Sequence, residues 1–213
     1  MIHILYQDKE LAVCRKPAGL LSQDGPGDTL PSLLRAQLGG EIFPVHRLDR
    51  EAGGVMVFAR TSRAAGALSG AISRGEFRKE YLCIARGRPE AEEGSYRDLL
   101  LHDKSRNKSF VVQRARGGVK EALLDYRLLA ERDGLALVLV RLHTGRTHQI
   151  RVQFASRGTP LVGDGKYGGG GGGMALWSWA LAFRHPGGKM MDFRALPEGG
   201  AWDGFAPALS RLK

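Results

Sequence analysis

His46-Arg47-Leu48-Asp49-Arg50 is separated by only Glu51-Ala52-Gly53 from Gly54-Val55-Met56-Val57-Phe58-Ala59, so a charged segment runs directly into an unbroken apolar one. An apolar run of that length, bounded by glycine before it and Arg60 after it, suits a buried strand. The segment before it is then a loop rooted in the core, and Asp49 is its acidic member. Arg47 and Arg50 flank Asp49, and cations on both sides favour an ionised carboxylate, suited to act as nucleophile or base. The plainer reading is a surface salt bridge, and one aspartate read alone does not decide between them.

Working outward, Thr61 or Ser62 can cap an Ala-rich helix running through Ile72, with Gly75 as its stop. Lys79 to Arg86 begins a strand that carries Tyr81, and polar loop material is expected after it. Upstream, Ile2 to Tyr6 and Leu11 to Cys14 read as an edge hairpin, followed by a turn at Lys16-Pro17-Ala18-Gly19. Asp28 or Thr29 can cap a helix with Pro31 in its first turn and Leu33, Leu34 and Leu38 on one side, stopped by Gly39-Gly40.

In the second half, Leu123 to Leu129 and Leu135 to Leu142 read as paired strands joined across Glu131-Arg132-Asp133-Gly134, a hairpin turn signal. The second of these delivers Thr144-Gly145-Arg146 to a strand-to-helix turn. Thr147 is expected to cap the following helix, in which Ile150 and Phe154 share a face and Arg151 points elsewhere. Gly168 to Gly173 offer no side chains to pack, so a mobile loop is expected before the strand Leu176 to Phe183. Many strands and few helices, without regular alternation, indicate an α+β fold on a mixed, mostly antiparallel central sheet with flanking helices and loops. A chain of 213 residues is expected to form a single domain over 1–213, with no separate N-terminal domain.

Lys and Arg number 32 against 22 Asp and Glu, a net charge of +10, and an excess of that size attracts a polyanion. The densest basic stretch holds Lys104, Arg106, Lys108, Arg114, Arg116 and Lys120 with no acidic residue among them. Cys14 and Cys83 both lie in apolar runs and read as reduced core residues. No apolar run approaches the roughly 20 residues of a membrane span, and the start lacks the features of a signal peptide, so a cytoplasmic protein is expected. His143 and His148 are five apart across a turn without acidic or Cys companions, so no metal is expected, and His46 and His185 read as hydrogen-bonding or core-edge residues. The glycine run is followed by no Lys-Ser or Lys-Thr pair, so ATP is not implied.

Together these segments resemble the RluA-like family of RNA pseudouridine synthases. The resemblance is carried by Lys16-Pro17-Ala18-Gly19-Leu20, by His46-Arg47-Leu48-Asp49 with Gly54 and Phe58-Ala59, and by Lys79-Glu80-Tyr81 with Ala85 and Gly87. It continues through Thr144-Gly145-Arg146-Thr147-His148-Gln149-Ile150-Arg151, Pro160-Leu161-Val162-Gly163-Asp164 with Tyr167-Gly168, and Leu181 with Phe183, His185 and Pro186. The chain departs from the pattern at Ala52-Gly53, where Thr-Ser is common, at Gln153 and Trp177, where His is usual or frequent, and in its glycine run.

The resemblance implies the pseudouridine synthase catalytic fold, no cofactor, and ribosomal or transfer RNA as the partner of a monomer. It implies Asp49 as the essential carboxylate, Arg146 as its charge partner and Tyr81 as a ring near the uracil. Arg47 would fill the stack or grip a phosphate when the uridine flips out, while His46, Ile150 and the basic stretch would contact RNA. A binding protein on a retired synthase fold is the alternative, and a hydrolase cleaving the same glycosidic bond is a second rival.

Overall fold

A computed structural model of the protein describes residues 1–212, among which are eleven strands and four α-helices. The α+β class and the predominance of antiparallel pairing read from the sequence are those observed. The chain divides into two compact units, the first comprising residues 1–79 and 177–197, the second 80–176 and 198 onward.

The first unit is built around the run that opened the sequence reading. Strand β1 (His3–Gln7) pairs antiparallel with β2 (Leu11–Lys16), which pairs antiparallel with β4 (Gly53–Ala59). The two-residue β3 (Phe43–Pro44) also lies on β4, and β10 (Leu176–Arg184) joins β4 in parallel through Trp177↔Gly53 and Ser178↔Gly54. Strand β11 (Met190–Arg194) returns antiparallel along β10. All seven residues of β4 are buried, as a strand covered on both faces requires.

One face of this sheet packs Leu11, Val13, Val55, Val57, Leu181 and Phe183 against Ala64, Leu68 and Ala71 of α2 (Ser62–Ser73), with the Phe77 and Phe183 rings stacked 4.9 Å apart. Thr61 is the cap of α2, its hydroxyl accepting from the Ala64 N–H. Helix α1 (Leu30–Leu38) is capped by Thr29 in a reciprocal pair with Ser32. Its buried side is Leu30, Pro31 and Leu34, whereas the expected Leu33 and Leu38 are half-buried.

In the second unit β5 (Arg78–Arg86), β9 (Leu135–Leu142), β8 (Val119–Arg132), β6 (Glu93–Asp103) and β7 (Lys108–Val112) follow one another across the sheet. The expected hairpin is β8–β9, turning on Asp133 and Gly134 with positive φ, as an Asp-Gly turn favours. The polar loop expected after β5 is corrected: Glu93–Asp103 is an eleven-residue strand, polar on its exposed positions and pairing with β8 on one side and β7 on the other. Exposed strand positions carry little apolar signal, which is why composition read it as loop.

The cap expected at Thr147 is also corrected. Helix α3 (Gln149–Ala155) starts after His148, which sits in the left-handed region at φ 55 and makes no side-chain cap. The Tyr96, Tyr126 and Phe154 rings form the neighbouring apolar cluster, with centroids 4.6 to 6.2 Å apart. The chain ends in a 3-10 turn (Gly200–Phe205) and α4 (Ala206–Ser210). No described helix is long and apolar enough to cross a membrane.

The glycine run is not uniformly free of packing. A Cβ at Gly169 would overlap the Leu161 carbonyl oxygen, and one at Gly163 would overlap that of Gly173. Gly169 N–H donates to Asp164 O at 2.8 Å, and its own carbonyl accepts from Gly163 N–H at 3.0 Å and from Arg86 Nε at 2.9 Å. The absent side chains are what allow this backbone-on-backbone contact, so the expectation of a segment without packing fails at its start.

Candidate active site

The Asp49 loop belongs to the first unit, and side chains from neighbouring elements hold its backbone. Lys16, with no exposed surface, directs its Nζ at the carbonyls of Pro17, Arg50 and Ala52 at 3.1, 3.0 and 2.6 Å. Burial drives the Lys16 pKa down to about 8, partly opposed by the charges of Asp49 and Glu51. Ser22 Oγ donates to the Leu48 carbonyl at 2.8 Å and accepts from its N–H at 3.1 Å. Gly19 and Arg50 exchange a backbone bond of 2.8 Å and an Arg50 Nε bond of 2.9 Å, and the Ala52 N–H closes on Asp49 O at 3.1 Å. Asp49 itself is half-buried and Arg47 is exposed.

His46 Nε2 accepts from the Val57 N–H at 3.1 Å, which puts the ring proton on Nδ1, an enclosed atom without a hydrogen-bond partner among the described residues. Burial, with Lys79 nearby as a further positive charge, lowers the His46 pKa to about 3, so the ring is neutral at physiological pH. His46 therefore stitches the loop to β4.

The other expected reaction residues belong to the second unit. Tyr81 lies on β5 and is 7% exposed, the burial of a core aromatic. Arg146 is exposed, and its turn is organised by neutral amides and hydroxyls. Gln149 Oε1 accepts from Thr144 Oγ1 at 2.8 Å and from the Arg146 N–H at 3.0 Å, while Gln149 Nε2 donates to Leu123 O at 3.1 Å. Thr144 Oγ1 also accepts from the Leu123 N–H at 2.8 Å. Arg146 Nε donates to Glu121 O at 2.8 Å, which directs the guanidinium along β8. Ile150, expected at the RNA, is 4% exposed.

Behind this turn lies a buried ion pair that the sequence reading missed. Arg151 Nε and a terminal nitrogen each contact one Asp164 oxygen at 2.7 Å, with the side chains 4% and 0% exposed. Asp164 Oδ1 also accepts from the Lys166 and Tyr167 N–H groups. The Tyr167 hydroxyl meets the Ser109 N–H at 2.7 Å and His148 Nδ1 at 3.0 Å, and Ser109 Oγ donates to Thr147 O at 2.7 Å. A signal was available: Arg151 sits between Ile150 and Val152 in a helix too apolar to expose it, so it needed a carboxylate.

The basic stretch is not one loop. Lys104 and Arg106 occupy the β6–β7 turn, Lys108 opens β7, Arg114 and Arg116 lie in the next loop, and Lys120 lies on β8. Asp103 caps the β6–β7 turn, accepting from Ser105 and Arg106 N–H, and forms a 3.7 Å ion pair with Arg106. Tyr167 ties this hairpin to the Arg146 turn through Ser109, so exposed cations are mounted on an ordered base. Lys108 Nζ sits 5.0 Å from the Tyr167 ring centre.

Among the described residues no three His, Cys, Asp or Glu side chains are grouped as metal ligands. His143 instead contacts Asp125 at 2.6 Å. Both cysteines are free and buried, and burial raises both thiols, Cys14 to about 12.

A sequence profile described as RNA pseudouridylate synthase matches residues 10–156. An uncharacterized RNA pseudouridine synthase of Aquifex aeolicus is 37% identical over 180 residues, covering 78% of this chain and 56% of that protein. Ribosomal large subunit pseudouridine synthase D of Zymomonas mobilis is 32% identical over 179 residues, with coverage of 78% and 56%. The chain thus spans little more than half the length of these two relatives. Among solved structures, human RNA pseudouridylate synthase domain containing 4 superposes with a TM-score of 0.78 at 25% identity, covering 99% of this chain and 92% of that one.

Proposed function

This chain belongs to the RNA pseudouridine synthase family, and on that premise we propose that it isomerises uridine to pseudouridine in structured ribosomal or transfer RNA, with Asp49 as the essential carboxylate. The observation that carries this reading is the Lys16 clamp. A buried cation bonded to the carbonyls of Arg50 and Ala52 gives the Asp49 loop a fixed course, and such preorganisation suits a group that must meet a reacting atom.

In the reaction the bond from ribose C1′ to uracil N1 breaks and a bond from C1′ to C5 forms. The C5 proton leaves and N1 takes up a proton, so nothing is oxidised or hydrolysed overall. Asp49 acts either as a covalent nucleophile or as the base that removes the ribose 2′ proton. Arg146 supplies the positive charge that keeps the reacting carboxylate ionised, and Tyr81 offers a ring to the flipped uracil. Arg47 takes a phosphate or the gap left in the stack, with His46 and Ile150 supporting the site from behind. Lys104, Arg106, Lys108, Arg114 and Arg116 neutralise flanking phosphates. The protein works as a cytoplasmic monomer without a cofactor.

The test is tritium release from ribosomal and transfer RNA transcripts carrying C5-tritiated uridine. Wild type is expected to release label from one RNA class, and Asp49→Asn to release none while binding the same RNA. Wild-type binding without release on any RNA supports the retired binding protein instead, and free uracil among the products identifies a hydrolase.

A further inference from the structure

Gly53 and Trp177, far apart in the chain, are direct partners. They face each other in the parallel register of β4 and β10. A Cβ on residue 53 would overlap Trp177 Cζ3, lie 2.7 Å from Cε3 and lie 3.1 Å from the Lys16 carbonyl oxygen. A serine there cannot coexist with this indole as it is placed.

The indole has little freedom to move. Trp177 Nε1 donates to the Ala195 carbonyl at 2.7 Å, and the Arg15 guanidinium lies 5.1 Å from the ring centre. On the next residue, the Ser178 hydroxyl donates to Val55 O at 3.0 Å. Gly54, at φ +119, approaches the Ser178 backbone too closely for any side chain. Pressure at residue 53 therefore passes to what can yield, the Lys16 backbone and the loop end at Ala52 whose carbonyl Lys16 holds at 2.6 Å.

We infer that Trp177 and Gly53 form one interlocked unit that sets where the Asp49 loop leaves β4, so that Trp177 is a positioning residue for the reaction although it lies more than a hundred residues from Asp49 in the chain. The inference rests on the proposed role of Asp49. A large ring at 177 requires no side chain at 53, and a serine at 53 requires a smaller residue at 177.

The experiment is a double-mutant cycle over wild type, Gly53→Ser, Trp177→His and the double variant, each measured by tritium release and by thermal melting. Gly53→Ser is expected to lower kcat by about tenfold or more, with KM for RNA moved less than about twofold and the protein folded at the assay temperature. The double variant is expected to return to within about threefold of wild type, since the clash disappears with the indole. A Gly53→Ser enzyme as active as wild type, or a double variant no better than Gly53→Ser, overturns the inference. If Gly53→Ser does not fold, recovery of folded protein in the double variant supports it and a double variant that also fails to fold overturns it. Should wild type release no tritium, the chemistry assigned to Asp49 fails, and the interlock is then judged by melting alone, additive melting temperatures across the four proteins overturning it.

Discussion

The Asp49 loop and the Arg146 turn each carry one proposed reaction residue, yet they are held by opposite means. The loop is gathered around a buried ammonium, Lys16, which donates to three main-chain carbonyls. The turn is gathered around a neutral amide, Gln149, bonded to a hydroxyl, an N–H and a carbonyl. A buried charge binds carbonyls strongly but carries a desolvation penalty, expressed in the depressed Lys16 pKa, while an amide can donate and accept with little penalty. The loop should accordingly be the more brittle of the two.

That contrast breaks if Lys16→Met proves mild. The substitution keeps most of the side-chain volume but removes the donor from the carbonyls of Pro17, Arg50 and Ala52. It is expected to destabilise by about 3 to 5 kcal/mol in denaturant unfolding and to abolish tritium release in whatever protein remains folded. Gln149→Leu is expected to destabilise less, by about 2 to 3 kcal/mol, with RNA binding retained and kcat reduced as the Arg146 turn loosens. Equal losses from the two variants would show that charge makes no difference to how the segments are held.

The smallest effect sharpens the comparison by pH. The folded His46 pKa of about 3 lies below its ordinary value, so between pH 6.5 and about 3 the unfolded chain binds a proton that the folded one does not. Stability from this group is complete above pH 6.5 and declines as pH falls, by about 2 kcal/mol at pH 5. His46→Gln keeps an acceptor for the Val57 N–H and cannot titrate, so its unfolding free energy is expected to fall less than wild type's between pH 7.5 and 5. An unchanged slope would mean that His46 does not supply this acid sensitivity.

Several elements were legible because their cause is local. Thr61 followed by an Ala-rich run determines the start of α2, and Asp133-Gly134 determines the β8–β9 turn, through backbone preferences within a few residues. The unbroken apolarity from Val55 to Ala59 marks β4 as buried on both faces. Thr147 failed as a cap because Gln149, reaching back to Thr144 and Arg146, shapes that turn in its place. The strand Glu93–Asp103 was missed because its polar positions face solvent and one of its two partners, β8, lies beyond the intervening β7.

The sequence by itself determined the family and the α+β class, and it singled out Asp49, Tyr81 and Arg146 as the proposed reaction residues, since motif, periodicity and turn chemistry are written in short contiguous stretches. Only the tertiary structure decided that Lys16 would lie fully buried under the Asp49 loop, that Arg151 would find Asp164, that Gly169 would rest on the Leu161 carbonyl and that Trp177 would occupy the space above Gly53. Each of those depends on which atoms meet across a loop or between strands, and steric exclusion and desolvation act on that proximity, which residue order does not express.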